Sequence, residues 1–204
     1  MSWGESKAWK KGTENRPLYQ GLLEDAATAP ARNAKRAKVV HPEDMPWEMS
    51  KQGLLKHLMN EAMNTRMETV DAYMQIIPPG SKSGKHRHLA EECLYVLEGK
   101  GYDMHQDCDV EITDTYHWKP QDEVKRYDWK AGDVAIVHNN CVHQHFNADP
   151  VKPARALVIK SKPMYMFMNM LFQHQVEPRS TEPMPGGVGF EAREGEQDYN
   201  HSPD

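Results

Sequence analysis

Four side chains in this sequence could together hold a metal ion: His86, His88, Glu92 and His143. Three lie in a segment that reads Gly80-x5-His86-x-His88-x3-Glu92-x6-Gly99, and the fourth lies in Gly132-x5-His138-x-Asn140-x2-His143-x3-Asn147. Side chains alternate faces along a strand, so His86 and His88 point the same way. Glu92 lies an even number of residues further on and returns to that face if the chain pairs back through a regular turn. His143 comes from a distant strand and would close the site across the fold. Three neutral imidazoles and one carboxylate leave two positions open on an octahedral ion. Such a set suits Fe(II), with Mn, Ni, Zn and Co as alternative occupants, because N and O ligands do not separate these ions by affinity alone. Adjacent open positions let a substrate and O2 or water bind side by side.

His145 follows His143 by two residues and so shares its face. An imidazole titrates near neutrality, so His145 could orient a substrate or take its proton. The other reading is a histidine that only hydrogen-bonds at the rim. His105 and His117 fall in a polar stretch and read as surface histidines. Arg66, Lys82, Lys85, Arg87 and Arg155 are candidates for holding a substrate carboxylate, although Arg87 alternates away from the metal.

Short strands must position these groups. Runs at 69–77, 92–97, 133–137, 142–146 and 156–159 are rich in β-formers and are separated by Pro, Gly, Asn and Asp. Spacing of this kind predicts an antiparallel jelly roll or sandwich. Leu54, Leu55, Leu58 and Met59 fit either a brief helical stripe or the barrel edge. The polar segment 101–129 reads as an insertion that extends one hairpin and covers the barrel mouth. Met164, Met166, Met168 and Met170 would line one face of a strand, with Tyr165 and Phe167 on the other. That strand would serve the core or an interface, or form an apolar wall for a substrate.

The strand carrying Glu92 should also turn Leu94 and Val96 inward, leaving Cys93, Tyr95 and Leu97 outward. An apolar outer face needs covering, by the N-terminal arm or by a second subunit. Cys93 then reads as a buried structural thiol. Three parts are expected along the chain. Residues 1–66 form an arm with a short helix, anchored by Trp3 and Trp9; residues 67–175 form the barrel; residues 176–204 form an irregular tail rich in Pro, Gly and acid.

Bulk properties narrow the partners. The 204 residues suit one domain with extensions. A net charge of −5 offers no basic footprint for nucleic acid, and the basic run 31–38 is a short solvated stretch. No apolar run is long enough to span a membrane, and the N-terminus lacks the apolar core of a signal peptide. Three cysteines without paired spacing fit a reducing compartment. A cytoplasmic protein with no nucleic-acid or membrane partner is the expectation.

The strings GSKSGKHRHLAEECLYVLEG and GDVAIVHNNCVHQHFN together resemble the two-part signature of the cupin superfamily, with every metal-ligand position filled. The resemblance covers roughly residues 70–162. It implies an all-β fold, a cupin jelly-roll β-barrel with an N-terminal arm and short helical segments, and a homodimer with exchanged arms. His138 stands where the pattern has proline and Asn140 where it has glycine, which alters the turn more than the ligation. The same strings are similar to single-barrel proteins grouped with gentisate-type dioxygenases. Those ring-cleaving enzymes use three histidines, whereas a retained glutamate is similar to three-His-one-Glu cupins. The resemblance implies an Fe(II) dioxygenase cleaving a small oxygenated aromatic or dicarbonyl-type substrate with O2, Glu92 and His145 being catalytic. A redox-neutral lyase, decarboxylase or isomerase, and a non-catalytic small-molecule binder, are the alternatives.

Overall fold

Alternating burial along short strands builds two antiparallel sheets. A computed structural model describes residues 17–114, 116–170 and 173–179, so Trp3, Trp9 and the tail beyond Arg179 lie outside the described residues. The first sheet runs in the order β1 (Trp47–Ser50), β2 (Gly53–Met59), β3 (Asp71–Ile77), β12 (Ala154–Lys160), β5 (Glu92–Glu98), β10 (Val134–Val137). The second runs β13 (Gln173–Glu177), β4 (Lys85–His88), β11 (Val142–Asn147), β6 (Lys100–Gln106), β9 (Lys125–Lys130). A separate ribbon pairs β7 (Cys108–Ile112) with β8 (Tyr116–Pro120). Neighbours distant in sequence, such as β3 with β12 and β4 with β11, make this the expected all-β jelly roll.

Period two decides what each strand buries. β12 turns Ala154, Ala156, Val158 and Lys160 inward. β5 buries Glu92, Leu94 and Val96 and leaves Tyr95 and Leu97 exposed, as the alternation predicts. Cys93 is half-buried in the chain by itself. Leu55, Tyr73, Leu94, Val137, Cys141, Ala156 and Val158 pack as one core cluster, and Ile77, Val96, Trp129 and Ala154 as another. Among the described residues, 17–36 belong to a unit of their own containing helix α1 (Leu18–Ala34), whose Leu18, Leu22 and Leu23 are exposed.

Three expectations change. Residues 162–167 form helix α2 (Lys162–Phe167), so the methionines do not alternate across a strand. Pro163 fits a helix's first turn, and methionine is a good helix former. Residues 47–59 belong to the barrel, so the sheet begins well before residue 67, and the run 54–59 follows the barrel-edge reading rather than the helical one. A register shift between His57 and Met59 breaks the alternation that would have marked it. The supposed insertion 101–129 is mostly barrel, since β6 pairs with β11 and β9 with β6, and only 107–124 leaves the sheet. β6 looked like loop because its inward residues include Asp103 and His105. His105 is accordingly buried, while His117 is exposed as expected.

Candidate metal centre

β4 carries His86 and His88 on its inward face, and the antiparallel partner β11 places His143 directly opposite His86. The 89–91 turn returns the chain to Glu92 at the start of β5. All four side chains are buried, and their potential ligand atoms lie within 4.8 Å of one another. The His86 and His143 ring centroids are 4.1 Å apart. The four residues singled out by spacing thus come from two sheets to one point.

Backbone carbonyls orient each ring. His86 Nδ1 donates to Gly84 O at 3.3 Å, His88 Nδ1 to Ala90 O at 2.8 Å, and His143 Nδ1 to Cys141 O at 3.0 Å. That pattern fixes the tautomer and aims each Nε2 lone pair inward. The three Nε2 atoms are buried without a hydrogen-bond partner, while the Glu92 oxygens are compensated by neighbouring charged groups. Orphaned buried acceptors are costly, so their convergence fits a cation that all four would share. Burial, joined by His143, Lys160 and His88, outweighs the Glu92 charge and holds His86 well below the usual imidazole range. Burial likewise dominates over the Glu92 charge at His143. Neutral imidazoles are the form a metal requires.

Glu92 is the electrostatic hub. Burial opposes its ionisation, but Lys160 and the surrounding histidines outweigh that and hold it well below the usual carboxylate range. Lys160 Nζ lies 2.7 Å from Glu92 Oε2. His145 is also buried here, with Nε2 3.3 Å from Glu92 Oε1 and Nδ1 2.9 Å from Asp103 Oδ1. Burial disfavours charging His145, yet the Asp103 carboxylate and Glu92 prevail and push it up to about 10. Trp129 Nε1 donates to Asp103 Oδ1 at 2.8 Å and fixes that carboxylate. His145 therefore bridges two carboxylates as a buried imidazolium, donating from both ring nitrogens.

Two cavities flank this cluster. One of about 190 Å³ is lined by residues including His57, Tyr73, Lys160, Lys162 and Gln173. Lys160 links it to Glu92. The other, of about 760 Å³, opens between β9 and β10 and reaches Asp103 and His105.

Sequence reasoning missed Lys160 and Asp103. Lys160 ends the run 154–160, and counting by twos from Val158 places it inward, a signal available in the sequence. Asp103 was hidden inside the supposed insertion. The basic candidates are engaged elsewhere. Arg66 pairs with Glu68 at 2.7 Å, Lys82 and Lys85 with Glu177 at 3.8 and 3.7 Å, and Arg155 with Glu98. Arg87 is half-buried, with Nη1 4.0 Å from Cys108 Sγ.

A jelly roll that gathers three histidines and a glutamate at its centre defines a cupin. Within that superfamily, the family model described as auxin binding protein matches residues 29–180, well over half of the chain, and the chain belongs to this family. It is 27% identical over 97 residues to auxin-binding protein T85 of Nicotiana tabacum, an alignment covering 48% of each protein. The chain thus spans about half the length of that curated relative. Among solved structures it is similar to the coconut allergen cocosin, with a TM-score of 0.51 at 16% identity over 70% of this chain and 37% of that one. A cupin-like protein of Thermotoga maritima gives a TM-score of 0.43 at 18% identity, covering 61% of this chain and 76% of that one. Among the described residues, no helix is long and apolar enough to cross a membrane.

Proposed function

We propose that this chain is a metal-dependent enzyme that takes a small organic anion at the His86–His88–Glu92–His143 centre, and that its reaction is an Fe(II)-dependent dioxygenation. Lys160 carries the reading. A divalent ion, the Glu92 carboxylate and the Lys160 ammonium sum to +2, while His145 and Asp103 balance each other. An excess of buried positive charge calls for an anionic ligand, a carboxylate, phenolate or enolate. The cavity of about 190 Å³ that Lys160 lines limits that ligand to a small molecule.

His86, His88, His143 and Glu92 would hold the ion, which when bound supplies a Lewis acid beside a substrate oxygen and, as iron, electrons for O2 chemistry. This chain's own groups do the rest. Lys160 holds the anionic end of the substrate near Glu92. His145, held protonated between Glu92 Oε1 and Asp103 Oδ1, can only donate a proton at Nε2, and so acts as an acid or an orienting donor. Tyr73 and Leu55 exclude water from the Lys160 side of the pocket.

A second reading rests on the family: the relative is named for binding auxin, and this chain would then bind a small organic acid without turning it over. Elemental analysis of anaerobically purified protein, followed by O2 uptake against hydroxybenzoates, hydroquinones and diketones, tests the first reading. Iron together with substrate-dependent uptake that vanishes in His86→Ala and His143→Ala supports it. Binding of auxin by calorimetry, with no O2 uptake and no product, replaces it with the second. Turnover without O2 consumption moves the chemistry to a lyase, decarboxylase or isomerase.

A further inference from the structure

Outside the cluster already described, the turn between β10 and β11 carries the two residues that depart from the cupin pattern, His138 and Asn140. Asn140 adopts a positive φ of 63°, a conformation that asparagine tolerates better than most residues. Its N–H donates to His88 O at 2.8 Å, and Cys141 N–H donates back to His138 O at 3.4 Å. A tight turn therefore sets His138 and Cys141, three apart in sequence, side by side. Facing them from β6 is His105. One potential ligand atom from each of His105, His138 and Cys141 lies within 4.8 Å of the others.

We propose that His105, His138 and Cys141 form a second metal site, suited to zinc, at the β9–β10 opening of the barrel. Its ligands are all distinct from those of the first site. An independent observation points to a ligand: His105 is 6% exposed, yet its Nε2 has no hydrogen-bond partner, the nearest carboxylate oxygen being Asp103 Oδ2 at 3.6 Å. Both His105 and His138 line the cavity of about 760 Å³, so an ion held by them would face open space. Asp107 Oδ1, 3.0 Å from His138 Nε2, adds negative charge at the same rim. Two imidazoles and a thiolate are a soft donor set that favours zinc over the harder ions. Cys141 would bind as thiolate, its proton passing to solvent. Three protein ligands leave one tetrahedral position open toward the cavity for water or a small anion. The His105 and His143 ring centroids are 6.3 Å apart, so the two ions would be close neighbours.

The test is titration of the stripped, full-length chain with Co(II), which reports thiolate ligation through a charge-transfer band in the near ultraviolet. The expected result is two ions per chain with that band present. Cys141→Ser loses the band and one ion. His138→Ala does the same with an unchanged circular dichroism spectrum, because His138 is largely solvent-exposed. His86→Ala loses the other ion and keeps the band, which separates failure of this site from failure of the first. One ion per chain in the unaltered protein, or a second ion bound without the thiolate band, overturns the proposal. So does a His138→Ala variant that retains both ions and the band.

Discussion

Lys160 and Glu92 face each other across β12 and β5, their charged ends 2.7 Å apart in a buried site. A carboxylate so placed is expensive to leave alone: breaking a buried pair by removing one partner costs about 3–5 kcal/mol. Lys160→Met should therefore destabilise the metal-free protein by roughly that amount. With an ion bound, the metal charge compensates Glu92 and the loss should shrink. Thermal unfolding of both proteins, with and without metal, checks this. An equal loss in the two states would show that Lys160 acts only in packing. Loss of the ammonium should also weaken binding of an anionic ligand by at least about tenfold, or 1.4 kcal/mol, while leaving metal content unchanged.

The metal ligands were legible because a period of two and fixed glycines place them whatever the surrounding sequence does. His145 was legible for the same reason, being two residues from His143. Asp103 and His105 were not, because β6 places polar groups inward to serve the site and so loses the apolar alternation that marks a strand. Methionine at 164–170 misled in the opposite way: an alternating pattern is visible in any short run, and only the proline at 163 marked the helix start. Lys160 lay in plain view at the end of an apolar run and needed only the parity count.

Asp103 should set the acid limit of stability. Burial opposes its ionisation, but His145, His105 and Trp129 together hold it below its ordinary value of 3.8. The unfolded chain then takes up a proton first as the pH falls. The stability Asp103 contributes is complete above about pH 4 and is lost as the pH drops toward the folded value. Asp103→Asn should lower stability near neutrality by about 3 kcal/mol, since His145 loses its counter-charge, and should flatten the decline below pH 4. Urea unfolding across pH measures both. An unchanged acid slope in the variant would assign the acid limit to other carboxylates.

β10 is an edge strand of the six-stranded sheet, and its outward residues Val134 and Ile136 are 54% and 69% exposed. Val134 pairs with Tyr95, and Leu97 lies further along the same outer face. An exposed apolar edge is a template for association. A homodimer through this face is expected, and light scattering should return twice the chain mass. Ile136→Asp should shift the protein to monomer without loss of circular dichroism signal. A monomeric parent protein would remove the dimer from the description altogether.

Gly101 ties the barrel wall to the site chemistry. It pairs with Trp129 on β9 and Asn147 on β11, in the middle of the second sheet. A Cβ at Gly101 would run into the Phe146 carbonyl oxygen and the Trp129 ring. The oxygen is backbone, so β6 must shift away from β11 and the indole must also give, which strains the 2.8 Å bond from Nε1 to Asp103. Gly101→Ala should therefore cost about 3 kcal/mol from overpacking and also disturb the Asp103–His145 pair. Turnover or anion binding should fall more steeply than metal content, because His86, His88 and His143 take their orientation from backbone carbonyls rather than from Asp103. Gly21→Ala is the matched control: nothing lies within 4 Å of its added methyl in α1, and alanine favours a helix by about 1 kcal/mol over glycine. That variant should lose no stability. If Gly101→Ala behaved like Gly21→Ala, the close approach of β6 to Trp129 would not be what holds Asp103 in place.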